Sequence, residues 1–439
     1  MNDFPLPASF VQRIVTQLPD ADVLFRQLDD EAATSIRLHP IKQQFADELP
    51  QGKEVPWNIH GRYLSERPKF SHDPSYHAGL YYPMEASSMF LSFVLQEIQL
   101  PEDALLLDLC AAPGGKSLIL KDAFPEQLLV SNEIDAKRVH VLKENAIRWG
   151  TENHVIIQSD APRLQRSDLQ FDLILVDAPC SGEGLFRKDK KSRTEWTAEK
   201  AAGCAVRQSV ILDDVVPMMA DGGWLIYSTC TFNPDENMQQ VNRLVDEFGL
   251  ESVPLKIDST WGIETLDNGR GYQFWPHRVA GEGFFISLLR KRGESEQKEL
   301  PIGKVKNESF PFLPFMDFSE SIIQKWEQTY VVFSTQELGV VKALTGHGNI
   351  VKKGLTLGEL KGKDFLPAHD LSANPKVKDF PNRMTLSQTE ALDYLRGNAL
   401  QLDCPNGPVL LTFNGLGMGF GKSNGRRVNN LLPKHLRIF

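Results

Sequence analysis

The sequence predicts an α/β protein: a doubly wound, mostly parallel sheet with a smaller α+β region before it and further small domains after it. Three observations predict this. From residue 104 onward, short apolar runs alternate with amphipathic stretches, the order of strand and helix in a parallel sheet. Runs such as 171–176 are apolar throughout, as strands buried on both faces are. Two of the runs lead into Asp177-Ala178-Pro179-Cys180-Ser181-Gly182 and Ser228-Thr229-Cys230. These motifs would lie at C-terminal strand ends, where open α/β sheets build their sites.

Taken in order, residues 10–18 and 20–30 read as helices with apolar spacing near 3.6. Ser35-Ile36-Arg37-Leu38-His39-Pro40 reads as a strand that stops at proline. The next stretch concentrates aromatics and bases: Trp57, Arg62, Tyr63, Arg67, Lys69, Phe70, His72, Tyr76, His77, Tyr81 and Tyr82. It is either an RNA surface, with rings stacking on unpaired bases and cations holding phosphates, or a loop whose rings pack on the next domain. A helix over 85–97 puts Met89, Phe90, Phe93 and Val94 on one face.

Strands are expected at 104–109, 128–133, 155–158, 171–176 and 224–228, and helices at 116–124, 136–149, about 197–219 and 234–248. Pro234 suits a first helical turn, and Asp221-Gly222-Gly223 reads as the turn into the fifth strand. A last strand pair, 251–255 and 284–290, brackets a polar insertion with Arg270, Trp275, Pro276 and His277. Residues 293 to about 305 are charged and aperiodic and read as a linker. The organisation expected is 1–98, 99–292, 306–385 and 386–439. The tail turns glycine-rich and basic, with five Lys/Arg and no acid from 422 to 439.

Composition, 41% hydrophobic and 24% charged, is that of a globular protein. Its apolar runs are too short to span a membrane and its N-terminus lacks a signal peptide, so a cytoplasmic location is expected. Five scattered cysteines without CxxC, and histidines without HExxH, predict no disulfide framework and no metal. Free thiols in a reducing compartment leave cysteine chemistry available. The net charge of -9 argues against nucleic acid only as a total, because local patches bind phosphates.

Asp108-Leu109-Cys110-Ala111-Ala112-Pro113-Gly114-Gly115-Lys116-Ser117 joins the first strand to its helix. A phosphate-binding Walker loop would need glycine where Cys110 stands, and the G-x-G-x-x-G of a dinucleotide loop is absent. S-adenosylmethionine remains: its adenosine needs such a loop and an acid for the ribose. Glu133, at the end of the second strand, stands near the spacing for that acid, and Asp160 follows the third strand, where it could meet the adenine amino group.

These three motifs, in this order at these strand ends, resemble those of the RNA 5-methylcytosine methyltransferases, the Nol1/Nop2/Sun family. The resemblance covers about residues 30–290; Pro276-His277, Gly283-Phe284-Phe285 and Glu85-Ala86-Ser87-Ser88-Met89 are similar to further family stretches. The basic end with Asn429-Asn430 resembles a PUA-type appendage of the family's ribosomal-RNA branch. The resemblance implies a Rossmann-like class I methyltransferase fold and S-adenosyl-L-methionine as cofactor. It implies an RNA substrate, with ribosomal RNA, alone or within a 30S subunit or its precursor, favoured over transfer RNA. The protein is expected to act as a monomer, away from membranes. Carried over by position, the cofactor site is Cys110, Ala111, Ala112, Pro113, Gly114, Gly115, Lys116, Glu133, Asp160 and Asp177. The catalytic acid is Asp177, the releasing cysteine Cys180 and the nucleophile Cys230. Glu133 departs from the aspartate of many relatives.

The chemistry needs such residues. Carbon 5 of cytosine is a weak nucleophile until a thiolate adds to carbon 6, which divides one hard step into two easier ones. An acid at ring N3 would stabilise the adduct, provided burial keeps it protonated, and Asp177 is the candidate. Cys180 would help expel the nucleophile, as a base or through a water. Lys116 and Lys188 read either as grips on RNA or the active-site loop, or as solvated surface lysines. Two rival classes are a non-catalytic RNA-binding protein, which has no use for all three catalytic residues, and a nitrogen-directed methyltransferase. The latter needs no thiol and would often carry Asn-Pro-Pro-Tyr or Asp-Pro-Pro-Tyr after the fourth strand.

Overall fold

The main sheet grows outward from Leu105–Asp108. In the computed structural model, which describes residues 4–294, 305, 307–310, 321–362, 364–377 and 380–438, this strand pairs in parallel with Leu128–Asn132 and with Phe171–Asp177. His154–Gln158 and Met219–Thr229 continue the sheet in parallel on the two sides. Successive strand residues point to opposite faces, so the uniformly apolar runs feed two cores. Leu105, Leu107, Ile174 and Leu225 enter one with Leu212 and Val241, while Leu106, Leu173 and Ile226 enter the other with Phe90, Val94 and Ile119. The helices Gly115–Ala123, Arg138–Trp149 and Ala198–Val215 run between these strands. This is the doubly wound, mostly parallel α/β fold that the sequence predicts.

Three features depart from expectation. The polar insertion carries two strands, Glu264–Leu266 and Gly271–Phe274, which extend the sheet antiparallel beyond Phe284–Arg290. They have only three and four residues, too few for an alternating pattern to stand out. Asp221-Gly222-Gly223 lies within the strand Met219–Thr229 instead of being a turn before it. The register there shifts between Phe171 and Leu173, and Gly222 takes a φ of +75°. At the opposite edge Asn349–Lys352, from the region after the linker, pairs antiparallel with His154–Gln158. Its Lys352 is buried, and Nζ donates to the carbonyls of Thr151 (3.3 Å), His154 (3.4 Å) and Gly354 (3.2 Å). The expected linker lies outside the described residues except at 293, 294 and 305.

The N-terminal region forms an antiparallel sheet in the order Lys53–Val55, Asn58–Leu64, Thr34–Leu38, Tyr81–Pro83. Its aromatics mostly face inward. Trp57 is buried among Phe90, Trp261 and Phe274, and Tyr76 lies 4.4 Å beneath the Arg148 guanidinium. Packing therefore accounts for these rings, while Arg67, Lys69 and His72 stay exposed. The last sheet runs Arg383–Thr385, Gly407–Phe413, Leu416–Ser423, Val428–Asn430. It shares one apolar core with the N-terminal sheet: Ile36, Leu38, Leu80 and Tyr81 meet Tyr394, Leu395, Val409 and Met418. The basic tail is not without acids in space, because Lys422 pairs with Asp364 at 2.8 Å. Among the described residues, no helix is long and apolar enough to cross a membrane.

The shared core makes a testable claim. Ile36, fully buried at this junction, should cost about 2–5 kcal/mol when replaced by alanine. Limited proteolysis of Ile36→Ala should also cut sooner within residues 386–439. Unchanged cleavage there would mean that the two ends are stabilised separately.

Candidate active site

The parallel strands end along one edge, and the loops that follow them bring the singled-out residues together. After Leu105–Asp108 the chain turns at Gly114, whose φ of +115° suits glycine, and enters the helix at Gly115. A Cβ on Gly115 would lie 3.0 Å from the Tyr82 ring and 3.5 Å from Met84 Sδ, so the N-terminal sheet closes over this loop. Asp108 is buried; Oδ2 accepts from Ser117 Oγ at 2.6 Å, while Oδ1 has no partner among the described residues. Burial pushes its carboxyl up to about 7, against the pull of the Ser117 bond. Burial likewise pushes the Cys110 thiol up, with the charges of Asp108 and Asp177 adding to it. Cys110 is thus an inert wall of the loop.

On the neighbouring strands, Glu133 follows Leu128–Asn132 and is 3% exposed. Its Oε1 accepts from the Asp135 N–H at 3.0 Å, and Oε2 lies 3.3 Å from Arg138. Arg138 also donates to the Ala112 carbonyl at 2.6 Å, which ties the ribose-acid candidate to the glycine loop. Asn145 holds the Pro113 carbonyl at 2.7 Å. Asp160 caps the helix Ala161–Gln165 by accepting from the Arg163 N–H at 2.8 Å. An orphaned Asp108 oxygen, a left-handed glycine turn and two strand-end acids fit a cofactor with polar ends and a ribose. Ile134, two-thirds exposed directly after Glu133, adds an apolar face that sequence reading overlooked.

On the other side of Leu105–Asp108 stand the catalytic candidates. Asp177 ends its strand opposite Ser228. It accepts from Ser228 Oγ and from Lys116 Nζ, both at 2.8 Å. Burial works against the Lys116 charge, but Asp177 overrides it and raises the ammonium's pKa. Of the readings left open for Lys116, the solvated one does not describe it: its side chain is 14% exposed and paired with Asp177. Asp177 is thus engaged through both oxygens, one facing Ser228 and the other Lys116. Lys188, by contrast, is exposed.

The loops after these two strands put Cys180 Sγ 3.2 Å from Cys230 Sγ. Backbone bonds set the approach: Ala178 N–H to the Ser228 carbonyl, and Gly184 N–H to the Cys230 carbonyl, each 2.9 Å. The bond to Cys230 and burial push the Cys180 thiol well up, and the charges of Cys230 and Glu236 add to this. The N-terminal helices Ala8–Gln17 and Ala21–Asp29, expected from their periodicity, brace both loops. Arg13 donates to buried Glu183 at 2.5 Å and to the Phe232 carbonyl at 3.4 Å, and Phe10 packs against Phe186 and Phe232. No local pattern marks Arg13, Glu183 or Glu236 in the sequence, since their partners are distant or belong to unlike loops.

A family model described as 16S rRNA methyltransferase RsmB/F matches residues 95–290. The N-terminal domain of 16S rRNA methyltransferase RsmF matches 6–86, and the methyltransferase RsmF PUA domain matches 381–438. The ribosomal RNA small subunit methyltransferase F of Erwinia tasmaniensis is 28% identical, covering 98% of this chain and 96% of its own. That of Serratia proteamaculans is 29% identical, over 98% and 96%. A methyltransferase homologue from Pyrococcus horikoshii, 25% identical, superposes with a TM-score of 0.52 over 65% of this chain and all of its own.

The thiol pair yields a direct test. Because Cys230 is the leading cause of the upward push on Cys180, Cys230→Ala should make Cys180 alkylate faster with iodoacetamide at pH 8. Peptide mass spectrometry reads this; an unchanged Cys180 rate would mean that the sulfurs do not share a proton.

Proposed function

The chain belongs to the RsmB/F family of 16S ribosomal RNA methyltransferases, with RsmF-type N-terminal and PUA domains, and we propose that Cys230 carries the reaction through a covalent bond to its substrate. The enzyme methylates carbon 5 of a cytosine, and 16S ribosomal RNA is its substrate. The observation that carries the covalent mechanism is the pair of sulfurs 3.2 Å apart beside the Lys116–Asp177 ion pair. An enzyme that methylates a nitrogen needs neither thiol.

S-adenosylmethionine, when bound, supplies an electrophilic methyl group. Residues 110–116, Glu133, Asp160 and Asp177 would hold it: the loop backbone along its length, Glu133 at the ribose hydroxyls, Asp160 at the adenine amino group and Ile134 against the ring. The target base leaves its stack to reach the strand ends. Cys230 attacks carbon 6 as a thiolate, and electron density moves to carbon 5. Ring N3 takes the proton shared by Lys116 and Asp177 as Cys230 adds, and returns it to that pair when carbon 5 gains its methyl group. After methylation the carbon 5 proton is removed, the double bond re-forms and Cys230 leaves as a thiolate. Cys180 is suited to assist, because its push upward comes first from Cys230. Once Cys230 is bonded to carbon its hydrogen bond to Cys180 is gone, while burial and the Glu236 charge still hold the Cys180 thiol up; a Cys180 that has given its proton to solvent, or a water beside it, accepts the one from carbon 5. Exposed Lys188, Lys191 and Lys200 lie on the segment after Cys180 and offer phosphate contacts.

Two experiments test this reading. Glu133→Ala should weaken S-adenosylmethionine binding by roughly 1.5–3 kcal/mol, the worth of charge-assisted hydrogen bonds to the ribose; unchanged calorimetric affinity would remove Glu133 from the site. Cys180→Ala should accumulate a protein–RNA adduct that survives denaturing electrophoresis, whereas Cys230→Ala should form none and have no activity. The reverse pattern would exchange the two roles, and no adduct with either would leave the thiols as packing.

A further inference from the structure

Glu236, six residues after Cys230, is fully buried, and five donor atoms face its carboxylate. Ser181 gives its N–H (2.8 Å) and its hydroxyl (2.5 Å), Gln208 Nε2 approaches at 3.1 Å, Asn233 Nδ2 at 3.3 Å and Thr231 Oγ1 at 3.4 Å. Every donor is uncharged, and among the described residues no cation pairs with it. Burying a carboxylate without a cation is costly, and only such a set of donors offsets it. The arrangement has a second regularity. Ser181 follows Cys180 and Thr231 follows Cys230, so the residue after each cysteine is bonded to the same carboxylate. With Ser181 Oγ donating to the carboxylate, it accepts from Thr231 Oγ1 at 2.9 Å, so the single Thr231 hydrogen is shared between Ser181 and Glu236. The main chain of Glu236 is itself fixed, its carbonyl accepting from the buried Tyr227 hydroxyl at 2.6 Å.

Resting on the two-cysteine reading above, we propose that Glu236 is a positioning residue for methyl transfer: it clamps the two cysteine loops at the separation where Cys180 can act on the Cys230 adduct. It touches neither the loop at 110–116 nor the strand-end acids that would hold the cofactor. Its effect therefore falls on the release step and not on binding. Its negative charge also adds to the push that keeps the resting Cys180 thiol protonated.

Glu236→Gln replaces one acceptor oxygen by a donor and sets it against Ser181 or Gln208. Misplacing Cys180 in this way should lower kcat by about 10- to 100-fold, leaving KM for 16S ribosomal RNA and calorimetric affinity for S-adenosylmethionine within about twofold, the split expected of a group that acts only after binding. The covalent adduct should accumulate on denaturing gels, as with Cys180→Ala. Combining the two substitutions should add nothing to the adduct level of Cys180→Ala alone, because both act on one step. Ser181→Ala, which removes one donor and leaves the carboxylate in place, should shift kcat and adduct in the same direction by less. It serves if Glu236→Gln does not fold. An adduct with Cys180→Ala but none with either of these variants overturns the inference alone. No adduct with Cys180→Ala overturns it together with the two-cysteine mechanism.

Discussion

The site depends on the register between two parallel strands. Asp177 lies opposite Ser228, so the loops that leave the two strands start at the same level. Three consequences follow directly: Ser228 reaches Asp177, Ala178 bonds back to the Ser228 carbonyl, and Cys180 meets Cys230. A slip of one residue would send each of these side chains to the other face of the sheet. Both strands are buried along almost their whole length, and that burial fixes the register. The chemistry is thus held by the most apolar part of the molecule, with the candidate reactive groups at or just beyond the strand ends.

Around this centre the chain closes on itself. Its two ends build a common apolar core, and the region after the linker adds an edge strand beside His154–Gln158. That edge leads into the Asp160 segment, where Ser159 Oγ donates to the His347 carbonyl at 2.5 Å. The N-terminal helices press on the cysteine loops through Arg13 and Phe10. The domains flanking the sheet are therefore parts of the site's scaffold.

Much of this was legible in the sequence, and the limit has a physical form. The apolar runs and their terminal motifs marked the strands of the main sheet and put Cys180, Cys230 and Glu133 at strand ends, because they are local signals. What escaped depends on contacts far apart in the chain. Asn349–Lys352 carries no mark of the strand it joins. Lys422 has no acid nearby in sequence, yet Asp364 pairs with it across two sheets. The sequence leaves the partner of Lys116 open, because Asp177, from another strand, meets it only in the fold. Glu236, within Asn233-Pro234-Asp235-Glu236, reads as part of a solvated helix start. Its burial appears only when Ser181 and Gln208 are brought to it. The 57–82 stretch shows the converse: its aromatic density is real, but packing takes those rings up, with Trp57 and Tyr81 buried and Tyr63, Phe70, Tyr76 and Tyr82 half-buried.

The claim on which the account turns is that Cys230 bonds to carbon 6 while Cys180 stands ready to release it. The most direct measurement uses 16S ribosomal RNA carrying 5-fluorocytidine, incubated with the native enzyme and S-adenosylmethionine. Fluorine at carbon 5 cannot be removed as a proton is, so the adduct should persist. Digestion and mass spectrometry should then find the modified nucleotide on the peptide containing Cys230. A nucleotide on the Cys180 peptide, or methylation without any cross-linked peptide, would contradict the account.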